Sequence, residues 1–212
     1  MSQSIKATSG LSNFFNVIIQ AFKGTEIDYT SISIRKAIVL LAIPMMLEMM
    51  MESVFVLVDL YFVGHLPNSA EAIQIVGLTE SVLTIIYSLA MGLGMAATAV
   101  VARRIGEKNN EAAAKAGMQT IALALAVVIV ISLAGLIFAK DILLLMGATE
   151  TTATEGVTFV RIMMGTSVVI MLLFLINGIF RGAGNAAIAM QSLWLANIIN
   201  IILCPILIRG IG

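Results

Sequence analysis

Charged residues, cysteine and histidine are scarce in this sequence, and each shortage excludes a class of function. Only 11% of the 212 residues are charged and 60% are hydrophobic, whereas about a quarter of a typical soluble domain is charged. The formal net charge is zero, which gives no basic surface for nucleic acid. Cys204 is the single cysteine and His65 the single histidine, so an intrachain disulfide is impossible and neither a metal-ligand set nor a catalytic triad is visible. The composition indicates an integral membrane protein that is not an enzyme.

Long apolar runs are what the sequence has instead. A spanning helix needs roughly 20 predominantly apolar residues, and five stretches qualify: 37–63, 75–102, 116–139, 158–180 and 186–208. The predicted fold class is therefore an all-α membrane bundle of five transmembrane helices, formed by residues 36–212. Residues 1–35 form an N-terminal segment in which "LSNFFNVIIQAF" (11–22) predicts a short amphipathic helix at the membrane surface.

The distribution of basic residues predicts how the bundle is oriented. Lys and Arg favour the cytoplasmic side of short loops. Counted over alternate sides of the five spans, nine basic residues lie on the side of the N-terminus and three, Lys140, Arg161 and Arg209, on the other. We therefore expect a multi-pass protein of the cell (plasma or inner) membrane with a cytoplasmic N-terminus.

The second span contains small residues at helix-packing spacing. In "SLAMGLGMAATA" they recur every four positions in two series, Ser88–Gly92–Ala96 and Ala90–Gly94–Thr98. Such a series lets a neighbouring helix backbone approach closely. "GLGMAA" also matches a dinucleotide-binding pattern, but that pattern requires a preceding strand, whereas this match lies within a predicted helix. Helix packing is the better interpretation.

The first span keeps three acids, Glu48, Glu52 and Asp59, within "LEMMMESVFVLVDLYFVGH". At 100° per residue, Glu52 lies about 40° and Asp59 about 20° round the helix from Glu48, so the three form one stripe. Pro44 lies one turn before Glu48, where it can bend the helix. An ionised acid at the bilayer centre costs about 2.5–3.5 kcal/mol, so the stripe should face a cavity or a partner.

A carboxylate in such a place can take up and release a proton or a sodium ion, and ion coupling is the function that the stripe indicates. Glu48 could instead have a structural role, in which it reaches water or pairs with Arg35 or Lys36. For Glu52 a structural role and a role in ion coupling are equally open. The side chain of Asp59 is too short to reach the membrane interface, which favours a functional role for this residue. Other polar residues in the spans, including Glu80, Asn177, Asn197 and Asn200, could bridge helices or offer cation ligands.

Five segments in order resemble the N-terminal lobe of the multidrug and toxic compound extrusion (MATE) family. They are "IPMMLEMMMESVFVLVDLYFVGHL", "GLGMAATAVVARRIGEKNNEAA", "ILLLMGATETTATEGVTFVRI", "LINGIFRGAGN" and "NIINIILCPILI". The resemblance covers residues 36–212. Because the family's lobe has six helices and the protein two lobes, the resemblance implies a truncated lobe, whose partners are the lipid bilayer and a missing second lobe or partner chain.

The resemblance also implies a function and a site. Family members export small, amphipathic, often cationic compounds by alternating access, driven by protons or sodium ions and without an organic cofactor. Asp59 matches the family's first-helix coupling acid, Asn200 the amide of the same site, and Asn177 a polar position of the fourth helix. Glu48, Glu52 and Asn197 are possible cavity-lining residues.

The chain departs from the family pattern at Cys204, where many relatives have an acid, and at Asn185 and Ala189, where an acid and a proline are common. A thiol does not replace a carboxylate as a ligand for a hard cation. Two alternatives stay open: a flippase for lipid-linked saccharides, and a membrane component that only assembles with a partner bundle. A flippase cavity would need basic residues for phosphate groups, and the spans show no Arg cluster.

Overall fold

The computed structural model describes residues 31–66 and 69–209, in which all regular secondary structure is helical. The helices are α1 (Ile34–Val63), α2 (Ser69–Gly106), α3 (Asn110–Ile137), α4 (Ala139–Leu145), α5 (Glu150–Gly182) and α6 (Ala186–Arg209). All except α4 are long and apolar enough to cross a membrane. The predicted all-α fold with five transmembrane helices is confirmed. The amphipathic helix expected at 11–22 lies outside the described residues.

The helices are longer than the predicted spans, and one short helix is additional to them. The 38 residues of α2 extend over about 57 Å, so its ends project beyond a hydrocarbon core of about 30 Å. The third predicted span runs to position 139, whereas α3 ends at Ile137 and α4 follows at once. The sequence does not predict α4, because seven residues are too few to show helical periodicity.

Local sequence signals set the starts of α3 and α5. The Asn109 side chain accepts a hydrogen bond from the Ala112 amide at 3.0 Å, and the Thr149 hydroxyl accepts one from the Thr152 amide at 3.2 Å. Each side chain therefore satisfies an amide that the first helical turn leaves unpaired. Just before α5, Gly147 has φ of +92°, a conformation that favours glycine.

The five long helices form two groups. Helices α2, α3 and α5 pack against one another, while α1 packs chiefly against α6 and touches α2 only slightly. We call the end of the bundle where α1, α3 and α6 begin and α2 and α5 finish the basic end, because its described residues include Arg35, Lys36, Arg103, Arg104 and Arg181. Helices α2 and α5 therefore run in the same direction.

Glycines bring α2 and α5 into close contact near the basic end. A Cβ atom built on Gly178 would lie 2.5 Å from the Gly94 carbonyl oxygen, and one on Gly182 would lie 2.7 Å from the Thr98 carbonyl oxygen. The Thr98 hydroxyl is placed to donate to the carbonyls of Gly178 at 2.8 Å and Gly94 at 2.9 Å. The two backbones thus approach too closely for side chains at these positions.

The structure shows which small-residue series of α2 forms this contact. Ala90 and Gly94 are buried and Thr98 is half-buried, whereas all members of the series Ser88–Gly92–Ala96 are exposed. A Cβ atom on Gly92 would meet nothing within 4 Å. Only the series Ala90–Gly94–Thr98 is used for packing within the described part of the chain.

Hydrogen bonds link α3 to α5. The hydroxyls of Ser132 and Ser167 lie 2.7 Å apart, and both residues are buried. At the opposite end of the bundle, Arg161 Nε donates to the carbonyl of Leu136 at 3.2 Å. That carbonyl belongs to the last turn of α3, where carbonyl groups lack intrahelical amide donors. The guanidinium group therefore caps the C-terminal end of the helix.

Candidate polar site between α1, α2 and α6

Asp59 and Asn200 lie together between α1 and α6. Asn200 Nδ2 donates to Asp59 Oδ1 at 3.4 Å, a long hydrogen bond that joins residues 141 positions apart. Both residues are half-buried. The contact places an amide beside the carboxylate that both the acidic stripe and the family resemblance singled out.

Cys204 is one turn beyond Asn200 on α6 and therefore on the same side of that helix. Its half-buried thiol lies near the Asp59 carboxylate. Asn200 Oδ1 is buried and has no hydrogen-bond partner. The α6 side of the site therefore consists of an amide and a thiol, with one uncommitted amide oxygen.

Helix α2 adds a second acid to this region. Glu80 is exposed on α2 and lies near Asp59, and Tyr87 lies two turns further along the same helix. Tyr87 also packs edge-on against Phe174, with ring centroids 6.1 Å apart. Helix α2 therefore brings one further acid towards Asp59.

The sequence presents Glu80 as one of several polar residues in the spans and does not indicate this place for it. The acidic stripe of α1 can be found from helical periodicity within one segment. The approach of α2 to α1 depends on tertiary packing between two helices, and no pattern in either segment encodes it.

Glu48 does not pair with Arg35 or Lys36, the partners that the sequence suggested for it. Arg181 Nη1 donates to Glu48 Oε2 at 3.1 Å, and only 17% of the Arg181 side chain and 11% of the Glu48 side chain are exposed. The expected partners lie three turns or more before Glu48 on the same helix, whereas Arg181 reaches it from the end of α5. A charge on another helix can be closer than one nearby in sequence.

The remaining predicted site residues have other surroundings. Glu52 is exposed. Asn177 is buried and accepts a long hydrogen bond of 3.5 Å from Ser192, which links α5 to α6. Asn197 is buried, and its amide donates to the Leu193 carbonyl at 2.9 Å within α6. The hydrogen bonds of Asn177 and Asn197 thus join or brace helices.

The fold and the site together define the class of protein. Five helices are long enough to cross a membrane, and a carboxylate and an amide that would be costly to expose to lipid meet between two of them, so this is a multi-pass membrane protein with a polar site between its helices. The family model described as MatE matches residues 44–206. The chain therefore belongs to the MATE family, in which it corresponds to the N-terminal lobe.

Individual relatives agree with this assignment. The chain is 26% identical to the probable multidrug resistance protein YoeA of Bacillus subtilis, covering 84% of this chain and 38% of the relative. It is 26% identical to the multidrug export protein MepA of Staphylococcus aureus, covering 82% of this chain and 39% of the relative. These proteins are named for export or resistance and not for an enzymatic activity, which agrees with the prediction that the chain is not an enzyme.

Solved structures show the same fold. A crystal structure of MATE in complex with MaD5 matches with a TM-score of 0.81 at 31% identity, covering 89% of this chain and 42% of that chain. The chain spans about two fifths of the length of the relatives it matches.

Proposed function

We propose that this chain is part of a secondary active exporter that moves small amphipathic, often cationic compounds out of the cell in exchange for protons or sodium ions. Two relatives that carry multidrug export or resistance in their names support this proposal. The observation that carries it is the Asp59–Asn200 contact, because it places a carboxylate with a polar partner between two membrane-length helices.

In this proposal Asp59 is the coupling carboxylate and Asn200 positions it. A carboxylate between membrane-spanning helices is a costly charge, and a proton or a cation that binds there neutralises it. Uptake of the ion would neutralise Asp59 on α1, which is only lightly packed against α2. Binding of an ion would in this way change the position of α1 against α2.

The basic end predicts how the chain is oriented in the membrane. If Lys and Arg remain on the cytoplasmic side, α1 begins in the cytoplasm and the Asp59 site lies towards the outer half of the membrane. We propose a location in the plasma or inner membrane and a second lobe or partner chain opposite this one, since alternating access requires two bodies that move against each other.

The structure weighs against the flippase alternative. Among the described side chains, Arg161 binds the Leu136 carbonyl at one end of the bundle and Arg181 is paired with Glu48 at the basic end. These two guanidinium groups lie far apart along α5 and form no cluster that could hold a phosphate. Direct binding of a lipid pyrophosphate to the purified protein would reverse this preference.

The test is gradient-driven export from proteoliposomes that contain this lobe together with its second lobe. A fluorescent organic cation is loaded, and either a proton or a sodium gradient is imposed alone. We expect one gradient to drive export and Asp59→Asn to reduce it to the level of empty liposomes. Asp141→Asn makes the same chemical change at an exposed acid of α4 and serves as the control.

Full gradient-driven export by Asp59→Asn would show that another group couples transport. The 212 residues reconstituted alone provide a second comparison. If neither the 212 residues alone nor the two-lobe protein shows flux under either gradient, the chain is better described as a membrane component that only assembles with a partner.

A further inference from the structure

The ion pair between Glu48 and Arg181 lies at an unusual place in the fold. It joins residues 133 positions apart and is largely buried on both sides. Arg181 belongs to the last turn of α5, and the chain turns into α6 at Gly184, which has φ of +89°. The pair therefore fastens the middle of α1 to the point where α5 ends and α6 is about to begin.

Direct helix packing between α1 and α5 is slight, and apart from the ion pair the two helices are held together through α6, which packs on both. Helix α1 packs chiefly on α6, touches α2 only slightly and has very little direct packing against α5. Where packing is slight, one buried charged contact has a large share in fixing the relative position of two helices. Pro44 lies one turn before Glu48 and removes a backbone hydrogen bond from α1, which makes this part of the helix easier to bend.

We propose that the Glu48–Arg181 ion pair is a clamp at the basic end that sets the position of α1 relative to α5. When one partner of a buried pair is removed, the other charge is left without compensation, so an intermediate separation is unfavourable. The clamp is therefore either closed or opened far enough for water to solvate both charges. Such two-state behaviour is what a conformational switch between packed helices requires.

The clamp also positions the proposed coupling site. Asp59 lies eleven residues beyond Glu48 on the same continuous helix, about 16 Å along its axis. A change in the tilt of α1 at Glu48 would therefore move Asp59 relative to α2. Glu48 and Arg181 are positioning residues, and the clamp does not depend on which ion is coupled or on whether Asp59 couples it.

The test measures the distance between α1 and the end of α5 in the reconstituted protein. In a Cys204→Ala background, spin labels are attached through Ile38→Cys and Ala183→Cys, two exposed positions on either side of the pair. We expect one narrow distance distribution with the native pair. Glu48→Gln and Arg181→Gln should each raise the fraction of molecules at longer distances by at least about tenfold.

Three further variants separate a clamp from a general loss of stability. Glu155→Gln removes an exposed acid of α5 away from the pair and should leave the distance distribution unchanged. Arg181→Lys should retain most of the narrow distribution, and the exchange of Glu48→Arg with Arg181→Glu should restore it. If the Gln variants do not fold, restoration by the exchange still supports the clamp.

The proposal is overturned if Glu48→Gln and Arg181→Gln keep the narrow distribution. The proposal is also overturned if neither the charge exchange nor Arg181→Lys recovers the narrow distribution. Because the distances are measured without a transport assay, a failure of Asp59 to couple transport would leave both of these outcomes unaffected.

Discussion

Replacing Gly178 by alanine should separate α2 from α5, and the structure gives the size of the effect. A Cβ atom at this position would lie 2.5 Å from the Gly94 carbonyl oxygen, whereas ordinary contacts begin at 3.4 Å. The obstacle is backbone and not the flexible end of a side chain. The two helices must therefore move apart by about 0.9 Å, the difference between 3.4 and 2.5 Å.

The free energy of unfolding should fall by about 1–3 kcal/mol, the usual cost of forcing an extra carbon into a packed interior. Weakening the bond from Thr98 to the Gly178 carbonyl adds about 0.6 kcal/mol. The higher helix propensity of alanine, worth up to about 1 kcal/mol in water, partly offsets both. The net change remains destabilising.

Gly92→Ala is the matched control, since it makes the same change on α2 where nothing lies within 4 Å. Both variants are purified in detergent micelles, and their unfolding is followed by helical circular dichroism during titration with a denaturing detergent. We expect Gly92→Ala to unfold at or above the wild-type midpoint and Gly178→Ala clearly below it. Equal midpoints for the two variants would refute the close approach of α2 and α5.

Two further predictions concern polar contacts. A double-mutant cycle of Ser132→Ala and Ser167→Ala, measured by the same unfolding titration, should give a coupling energy of about 0.6 kcal/mol, since the two buried hydroxyls lie 2.7 Å apart, and strictly additive effects would speak against this bond. Hydrogen bonds from Arg104 and Arg103 lower the pKa of the Glu107 carboxyl beyond the end of α2. Their stabilising effect is present at neutral pH and is lost as the pH falls through that lowered pKa. Arg104→Gln should raise the pKa in an NMR titration and Arg35→Gln should not.

Several elements of this structure could be predicted because their signals are local. Apolar length identifies the five transmembrane helices, and the 100° period places Glu48, Glu52 and Asp59 on one face of α1. The family resemblance added Asn200, which the structure places beside Asp59. Whether these residues couple transport stays a prediction.

The remaining features of the fold and the site depend on which helices pack together, and helix pairing is not a local property of the sequence. The two small-residue series of α2 have the same spacing, and only the position of α5 determines that Gly94 is buried and Gly92 exposed. The partner of Glu48 is similarly set by where α5 ends. The short α4 could not be predicted because its few residues are compatible with a loop as well as a helix.

The parallel course of α2 and α5 has an electrostatic consequence. Neighbouring antiparallel helices oppose their macrodipoles, but two parallel ones add them, so the partial negative charge of two C-termini accumulates at the same end of the membrane. Arg103 and Arg104 lie in the last turn of α2 and Arg181 in that of α5, while Glu71 and Glu150 lie in the first turns. The basic residues from which the orientation of the chain is predicted thus also oppose the summed dipole of α2 and α5, apart from the share of their charge that Glu107 and Glu48 neutralise.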